Sequence, residues 1–384
     1  MRRKFTMAAA AGALALGLAA CGGGGAGSTG DEPAGGGADP GDITVGVAMP
    51  TETSERWIAD GQAVKDGLEA LGYKVDLQYA GDDIPTQTQQ IDQMITSGAD
   101  VLIIASIDGT ALTSQLENAA AQNIPVIAYD RLIRDSENVD FYVTFDNFAV
   151  GIAQGTALLR GMGIVDETGV EVADVGGPYN VELFAGSPDD NNAGFFYEGA
   201  MSILQPYLDN GTLVVKSGQT DFDTVATLRW SQEAAQKRME DLLTSTYSDG
   251  STLAGVLAPY DGISRGIITA LQGVGMGPTI EAGLPIVTGQ DAEIASVKLI
   301  ADGVQSSTIF KDTRKLAEQS IKVAQAFING EEPEANNTDT YDNGVKVVPS
   351  YLLTVDTVFA EDIIPLLVDS GYWTEDEVAS GVAD

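Results

Sequence analysis

Short, continuously apolar segments alternate with amphipathic helical segments along most of this chain. A β-prone run at 43–49 precedes a helical pattern near 54–71, and a second strand pattern follows at 74–79. Further apolar runs lie at 101–105 and 124–129, again separated by helical patterns. Strands that are apolar on both faces and alternate with helices are typical of a parallel sheet covered on both sides. The first part of the chain therefore predicts a doubly wound α/β unit.

The same rhythm is repeated in the second half. Apolar strand patterns lie at 182–185, 212–215, 255–258 and 284–287, with helical segments between them. Two such units predict an α/β protein with two doubly wound parallel-sheet lobes. Because ligands of open parallel sheets bind outside the carboxyl ends of the strands, the side chains directly after the apolar runs are the candidate functional residues.

Polar and aromatic side chains are concentrated at these strand ends in both halves. A neutral, polyhydroxylated ligand would use such a mixture, because carboxylates and amides bind hydroxyls and aromatic rings cover C–H faces. An Asp or Asn at such a position commonly caps a helix instead, and this alternative stays open for each of them. The strand-end groups lie at 54–57, 130–131, 186–192, 259–261 and 288–291.

Charge and the absence of histidine exclude several functions. The chain has 20 Lys and Arg against 56 Asp and Glu, a net charge of −36, which disfavours nucleic acid and polyanionic ligands. It has no histidine, which removes Ser-His-Asp and Cys-His catalysis and His-ligated metal sites. A glycosidase in which Asp130, Asp261 and Asp291 converge is the enzymatic alternative. We expect binding without catalysis.

The N-terminal residues predict export and attachment to a membrane. Basic residues at 2–4 precede an apolar run at 5–20 that is too short for a convincing transmembrane span. The run ends in Leu-Ala-Ala before Cys21, which looks like the lipobox of bacterial lipoproteins; an ordinary secretory signal is the alternative. We expect a signal peptide at 1–20, then a lipidated Cys21 and a flexible Gly-rich tether at 21–41. The folded part would then lie at the extracellular face of the cell membrane.

Six short strings, taken in order, resemble the periplasmic sugar-binding protein family, the pentose and hexose branch of type I ABC solute-binding proteins. The resemblance extends over essentially all of the chain from Ile43 and is strongest to the xylose-binding and ChvE-like multiple-sugar-binding proteins. One string alone would be weak evidence, whereas six in the same order are specific. The strings are ERW at 55–57, YDR at 129–131, FDN at 145–147, GSPDDNN at 186–192, GQD at 289–291 and FK at 310–311.

The resemblance implies a periplasmic binding protein-like type I fold. In that fold, two doubly wound lobes joined by a three-segment hinge close over a sugar. On this chain the crossing segments would lie near 144–147, 309–311 and 345–349. The implied lobe boundaries are 42–145 plus 311–346 for lobe 1, and 146–310 plus 347–384 for lobe 2.

The resemblance also implies a role for each residue of the sugar-binding set. Trp57 and Trp230 would stack on the two faces of the sugar ring, with packing in the core as the alternative for each. The polar members would exchange hydrogen bonds with hydroxyls, with a surface ion pair as the alternative for Arg56 and simple solvation for Lys311. The remaining members of the set are Asp130, Arg131, Asn191, Asn192, Asp261 and Asp291.

One position departs from part of the family. Ribose- and galactose-type members usually carry Asn before the Asp in the segment that matches 259–261, and here Tyr260 stands in that place. A tyrosine hydroxyl cannot supply the donor and acceptor pair of an amide, so Asp261 would carry more of the contact. The calcium loop of galactose-type members is not evident, and we expect neither a structural metal nor a cofactor.

The sequence therefore predicts a lipid-anchored, extracytoplasmic solute-binding component of an ABC importer. Its ligand would be a monosaccharide, and the residues do not choose among xylose, glucose, galactose and arabinose. Its partners would be an ABC permease with its ATPase and, through Cys21, the membrane, whereas nucleic acid would not bind. We expect a monomer. A receptor of the same fold that feeds chemotaxis or signalling is the alternative.

Overall fold

The computed structural model describes residues 39–383, which belong to one compact unit. The expected signal peptide at 1–20, the expected lipidation site Cys21 and the expected tether as far as residue 38 lie outside the described residues. Within residues 39–383, every helix is too short or too polar to cross a lipid bilayer.

Twelve strands lie between residues 39 and 383. They are β1 (Thr44–Met49), β2 (Lys74–Tyr79), β3 (Val101–Ile104), β4 (Val126–Tyr129), β5 (Phe141–Phe145), β6 (Tyr179–Leu183), β7 (Leu213–Val215), β8 (Leu253–Leu257), β9 (Ile286–Val287), β10 (Thr308–Phe310), β11 (Ser350–Leu353) and β12 (Asp356–Val358).

Eleven α-helices alternate with these strands in the same range, together with short 3₁₀ turns and one π-helical turn at Ile363–Val368. The helices are α1 (Glu55–Ala70), α2 (Ile84–Thr96), α3 (Thr113–Ala121), α4 (Asn147–Gly161), α5 (Asn191–Asp209), α6 (Phe222–Val225), α7 (Gln232–Ser245), α8 (Asp261–Gly273), α9 (Ile294–Ala301), α10 (Thr313–Asn329) and α11 (Glu375–Ser380).

The first sheet has the strand order β2-β1-β3-β4-β5-β11, and each neighbouring pair is parallel. Its apolar strands are covered on both faces, as their continuous hydrophobic runs predict. Leu68 of α1 and Leu316 of α10 pack on one face. Ile91 of α2 and Leu116 of α3 pack on the other.

The second sheet has the order β7-β6-β8-β9 and is also parallel. Met239 of α7 and Ile267 of α8 belong to the apolar cluster on one side. Leu158 of α4 and Leu204 of α5 belong to the cluster on the other. The architecture is thus two doubly wound α/β layers, the fold class that the sequence predicts.

The chain passes between the two sheets three times. It leaves the first sheet after Phe145 and returns through β10 to α10, which packs on the first sheet. The third passage corrects the expected boundaries. Residues 350–353 pair in parallel with β5 and complete the first sheet, so the crossing lies near 353–356 rather than at 345–349. The reason is hydrogen bonding: β5 has a free edge that β11 satisfies, and only then does β12 pair with β10.

Candidate functional site

A cavity of about 460 Å³ lies where the carboxyl ends of the strands of the two sheets face each other. This volume falls within the range of about 300–1,000 Å³ that is usual for small-molecule sites. Its wall is built from both halves of the chain. Eight of the ten sequence-predicted side chains line it: Arg56, Trp57, Asp130, Arg131, Asn192, Trp230, Asp291 and Lys311.

Two predicted residues are not on this wall. Asn191 is the first residue of α5, and its neighbour Asn192 takes the wall position instead. Asp261 is completely buried behind the wall. It accepts hydrogen bonds from the Glu293 amide at 2.9 Å and from the Thr308 hydroxyl at 3.1 Å. The expectation that Asp261 contacts a ligand is therefore corrected, because its carboxylate is committed to the protein.

Asp261 instead supports the turn that carries Asp291. Its carboxylate also accepts from Gln305 Nε2 at 2.8 Å, and its backbone amide donates to the Gln290 carbonyl at 3.0 Å. A Cβ atom at Gly289 would lie only 2.1 Å from Asp261 Oδ1, so glycine is needed there. Burial, with the nearby carboxylate of Glu293, raises the pKa of Asp261 to about 8.

Arg56 is the charged centre of the site. It is buried, which removes the surface ion pair considered from the sequence. Its Nε lies 3.2 Å from Asp60 Oδ2, one Nη contacts Asp130 Oδ1, and the other lies 3.5 Å from Asp291 Oδ1. Burial opposes the charge of Arg56, but these carboxylates outweigh it and raise its pKa well above the ordinary value.

Asp130 follows β4 in a left-handed backbone conformation, with φ of 59°. Its carbonyl accepts from the Tyr142 hydroxyl at 2.7 Å, the Thr144 hydroxyl at 2.9 Å and Asn192 Nδ2 at 2.8 Å. These donors come from the first sheet and from α5. They hold the Asp130 backbone so that its side chain faces the cavity.

The Asp130 carboxylate is held in its ionised form. Burial alone would raise its pKa, but the positive charges of Arg56, Lys311 and Arg131 lower it below the ordinary value. An ionised carboxylate only accepts hydrogen bonds. Asp130 is therefore suited to accept from ligand hydroxyls and unsuited to act as the acid of a glycosidase.

Asp291 and Lys311 form a second buried ion pair. Lys311 Nζ lies 2.9 Å from Asp291 Oδ1, and the lysine side chain is 2% exposed, so it is not simply solvated. Asp291 also has a left-handed backbone, with φ of 92°, and its amide donates to the Ile309 carbonyl at 2.8 Å. The bond to Ile309 ties the turn after β9 to β10.

Arg131 connects the two halves on the other side of the cavity. Its Nε lies 3.0 Å from Asp190 Oδ2, and one Nη donates to the Ser106 carbonyl at 3.2 Å. Asp190 also caps α5, because it accepts from the Asn192 amide at 3.0 Å. Burial raises the pKa of Asp190 despite the charge of Arg131. Asp190 thus combines the helix-capping role and a place on the cavity wall.

Two tryptophans line the cavity in different surroundings. The guanidinium carbons of Arg56 and Arg131 lie 4.7 and 5.0 Å from the ring centroid of Trp57, within range for cation–π attraction. Trp230 has φ of 55°, and its ring approaches Gly186 so closely that a Cβ there would lie 2.0 Å from the ring. Among the described residues the Trp230 indole N–H has no hydrogen-bond partner.

Tyr260 lines the cavity with its ring, while its hydroxyl is used elsewhere. The hydroxyl donates to Glu293 Oε1 at 2.7 Å, and Arg265 donates to Glu293 Oε2 at 2.6 Å. Ser54, just before α1, donates to Glu293 Oε1 at 3.0 Å. Through Glu293, these hydrogen bonds join the residue before α1 to the second half of the chain. Tyr260 is therefore not a simple replacement for an amide ligand.

Sequence reasoning missed several other wall residues. Asp190 and Gln290 lie inside the strand-end groups at 186–192 and 288–291, so their position after a strand is the available signal. Glu293 does not line the cavity but supports Tyr260 from behind it, and no sequence signal marks it, because it follows the string at 289–291. Other wall residues that the sequence did not single out are Thr51, Thr53, Asp82, Phe196, Gln232 and Glu233.

The chemistry of this wall is that of a binding site for hydroxyls. Each buried carboxylate of Asp130, Asp190 and Asp291 has a basic partner, so one hydroxyl can donate to an acid and accept from its neighbouring base. Aromatic rings supply the apolar part of the surface. In the described part of the chain, no three Asp, Glu, Cys or His side chains are grouped so that they could hold a metal ion.

Comparison with known proteins identifies relatives over most of the chain. Residues 45–332 match the family described as periplasmic binding protein domain. The chain is 54% identical over 335 residues to the multiple sugar-binding periplasmic receptor ChvE of Rhizobium radiobacter, covering 87% of this chain and 92% of that protein. It is 35% identical to the D-xylose-binding periplasmic protein of Escherichia coli, covering 88% and 93%.

A solved structure shares both the fold and much of the sequence. It is an ABC transporter solute-binding protein from Clostridium phytofermentans with bound β-D-glucose. The two chains are 47% identical, with a TM-score of 0.81 over 87% of this chain and 99% of the other.

Proposed function

The chain belongs to the periplasmic binding protein family, and from this premise we propose that it is the lipid-anchored, monosaccharide-binding component of an ABC importer. The observation that carries the proposal is the cavity wall, in which Arg56, Asp130, Asp291 and Lys311 form buried, mutually neutralised pairs. The relatives named for multiple sugars and for xylose, and the related structure with bound glucose, support a neutral sugar as ligand. The ligand class is an aldopyranose such as glucose, xylose, galactose or arabinose.

The wall explains how closure over a sugar would be coupled to binding. Arg56, Asp130 and Arg131 belong to the first half, whereas Asp190, Trp230 and Asp291 belong to the second. A sugar that contacts both groups stabilises the closed arrangement more than an open one, and only this difference in affinity shifts the equilibrium. The permease would then recognise the closed form. The transfer is non-enzymatic, because the sugar is bound and released unchanged.

Thermal unfolding of the purified chain with a panel of monosaccharides, disaccharides, amino acids and nucleosides tests the proposal. We expect aldopyranoses alone to raise the melting temperature, corresponding to about 2.7 kcal/mol of added stability at a hundredfold excess over Kd. Asn192→Ala should reduce this shift, whereas Asn191→Ala, next to it but off the wall, serves as the matched control. A shift with another class of ligand and none with sugars would contradict the proposed function and leave the fold untouched.

Membrane attachment is tested separately at Cys21. The basic residues at 2–4, the apolar run and the sequence Leu-Ala-Ala before Cys21 support lipidation of this residue. We expect Cys21→Ser to abolish labelling by a radioactive fatty acid and to release the protein from the membrane fraction, while sugar binding is unchanged. Membrane retention of the unlabelled variant would show that another segment anchors the chain.

A second candidate function is a sugar receptor that feeds signalling, favoured by the word receptor in the name of the Rhizobium radiobacter relative. Sugar uptake in cells that lack this protein distinguishes the two. Loss of uptake supports the importer. Normal uptake together with loss of a sugar-dependent response supports the receptor.

A further inference from the structure

Asp60 is a buried carboxylate that neither lines the cavity nor has a place in the binding scheme above. It lies on α1 one turn after Arg56 and is completely buried. Residues four apart on a helix share a face, so Asp60 lies directly behind Arg56. A carboxylate is rarely buried without a specific partner, which raises the question of what this one does.

Both oxygens of Asp60 are fixed. Oδ2 accepts from Nε of Arg56 at 3.2 Å, and Oδ1 accepts from the Tyr129 hydroxyl at 2.8 Å. Because the guanidinium group is planar, a bond to Nε sets the direction of both Nη groups. One Nη contacts Asp130 and the other faces Asp291, and both of these carboxylates line the cavity.

We propose that Asp60 is a positioning residue for the binding site: it fixes the guanidinium plane of Arg56 and so sets the affinity for the ligand without touching it. This inference rests on the proposed sugar-binding function. Without the bond to Asp60, the long side chain of Arg56 gains freedom to rotate. Ligand binding must then order this side chain, and the loss of its conformational entropy weakens the affinity.

The surroundings of Asp60 make this positioning sensitive to pH. Burial raises the pKa of Asp60 to about 7, with Asp130 and Asp291 adding to the rise, while Arg56 and the Tyr129 hydroxyl oppose it. Tyr79 from β2 and Tyr372 from the C-terminal segment interact electrostatically with it: burial raises the pKa of both hydroxyls, and the charge of Asp60 adds to the rise.

The pKa of Asp60 sets the direction in which sugar affinity changes with pH. Above about pH 7 Asp60 is ionised and attracts the Arg56 guanidinium, whereas below it the neutral acid loses this attraction. If only the ionised form positions Arg56, sugar affinity rises as pH increases through this range. The same argument predicts that a neutral side chain at position 60 has low affinity at every pH.

Titration calorimetry of D-glucose into the purified full chain tests the proposal. We expect Asp60→Asn to weaken binding by about tenfold at about pH 8, the usual worth of a hydrogen bond to a charged group. We also expect the variant to lose most of the pH dependence that the wild type shows between about pH 6 and about pH 8. The control is Asp66→Asn on the same helix, where the exposed carboxylate accepts a hydrogen bond from Gln62 at 2.6 Å, and it should behave as the wild type.

Tyr129→Phe provides an independent signature. It removes one hydrogen bond from Asp60 but keeps the carboxylate and the packing of the ring. Because that bond lowers the pKa of Asp60, its loss should move the pH transition of affinity to higher pH. A residue with only a structural role would not move this transition. If the melting curve of Asp60→Asn shows that this variant does not fold, Tyr129→Phe still tests the proposal.

Each outcome separates this inference from the proposed function. If Asp60→Asn binds glucose as the wild type does, or binds weakly with an unchanged pH profile, the positioning role is wrong. If the wild type binds neither glucose nor any other sugar of the thermal panel, it is the proposed function that fails.

Discussion

Replacing Asp130 by Asn is expected to weaken monosaccharide binding by at least about 100-fold, the equivalent of one to two charged hydrogen bonds. The carboxylate faces the cavity, contacts Arg56 and is kept ionised by the surrounding basic groups. Asn has nearly the same shape, but its NH₂ group is a donor where both Arg56 and the ligand hydroxyls require an acceptor. The loss should therefore come from charge and hydrogen bonding and not from volume.

The fold should tolerate this change, so affinity can be measured on an intact protein. Asp130 has φ of 59°, and Asn accepts the left-handed region as readily as Asp does. Its carbonyl keeps the three donors from Tyr142, Thr144 and Asn192. Titration calorimetry gives the change in Kd. Asp135→Asn is a matched control, because Asp135 has φ of 56° but is exposed and away from the cavity wall.

A wild-type Kd in Asp130→Asn would contradict the assignment of Asp130 to ligand binding. The cavity would then use its acidic residues to balance Arg56 and not to hold a sugar. Asp135→Asn must keep the wild-type affinity. A loss of affinity in both variants would indicate a general effect of replacing Asp by Asn at left-handed positions.

The second large effect is on stability and concerns Arg56. We expect Arg56→Met to lower the free energy of unfolding by about 3–5 kcal/mol near neutral pH, because removing one partner leaves buried charges uncompensated. Three carboxylates, those of Asp60, Asp130 and Asp291, surround the guanidinium. Methionine fills a similar volume, so a cavity contributes little to the loss. Equilibrium unfolding in urea measures it.

The pH dependence of that loss identifies its cause. Without Arg56 the pKa of Asp60, already about 7, rises further, because the charge that lowers it is gone. Below about pH 7 Asp60 is protonated with or without Arg56, so the destabilisation should shrink as the pH falls. A loss that is independent of pH would indicate packing and not charge. Lys237→Met, which breaks the exposed pair with Asp241, is the control and should leave the unfolding curve almost unchanged.

Much of the framework follows from hydrophobic periodicity. The strand pattern at 74–79 coincides with β2, and the helical pattern near 54–71 with α1 at 55–70, because each carries a clear repeat of two or of 3.6 residues. The sixth strand of the first sheet could not be read in this way. Residues 350–353 are separated by some 200 residues from their partner β5, and only tertiary pairing shows to which sheet they belong.

The candidate site, too, could be predicted only in part from the sequence. Strand ends directed attention to the correct segments, but the choice between adjacent residues depends on local geometry. Asn191 and Asn192 differ by about 100° around the helix axis, so one faces the cavity and the other does not. Asp261 is turned inward by the start of α8. Asp60 had a readable signal, its spacing of four from Arg56, which gains meaning only once Arg56 is known to be buried.

The left-handed backbones of Asp130 and Asp291 set backbone strain against charge balance at the same two positions. An L-residue there costs about 1 kcal/mol relative to glycine, which adopts positive φ freely. Glycine substitutions at both sites would thus look attractive in a campaign to make the protein more heat-resistant, for example as the recognition element of a sugar biosensor. They would instead remove two carboxylates that balance Arg56 and Lys311, and the uncompensated buried charge outweighs the relief of backbone strain. A biosensor scaffold redesigned on backbone conformation alone would therefore lose both heat resistance and sugar binding.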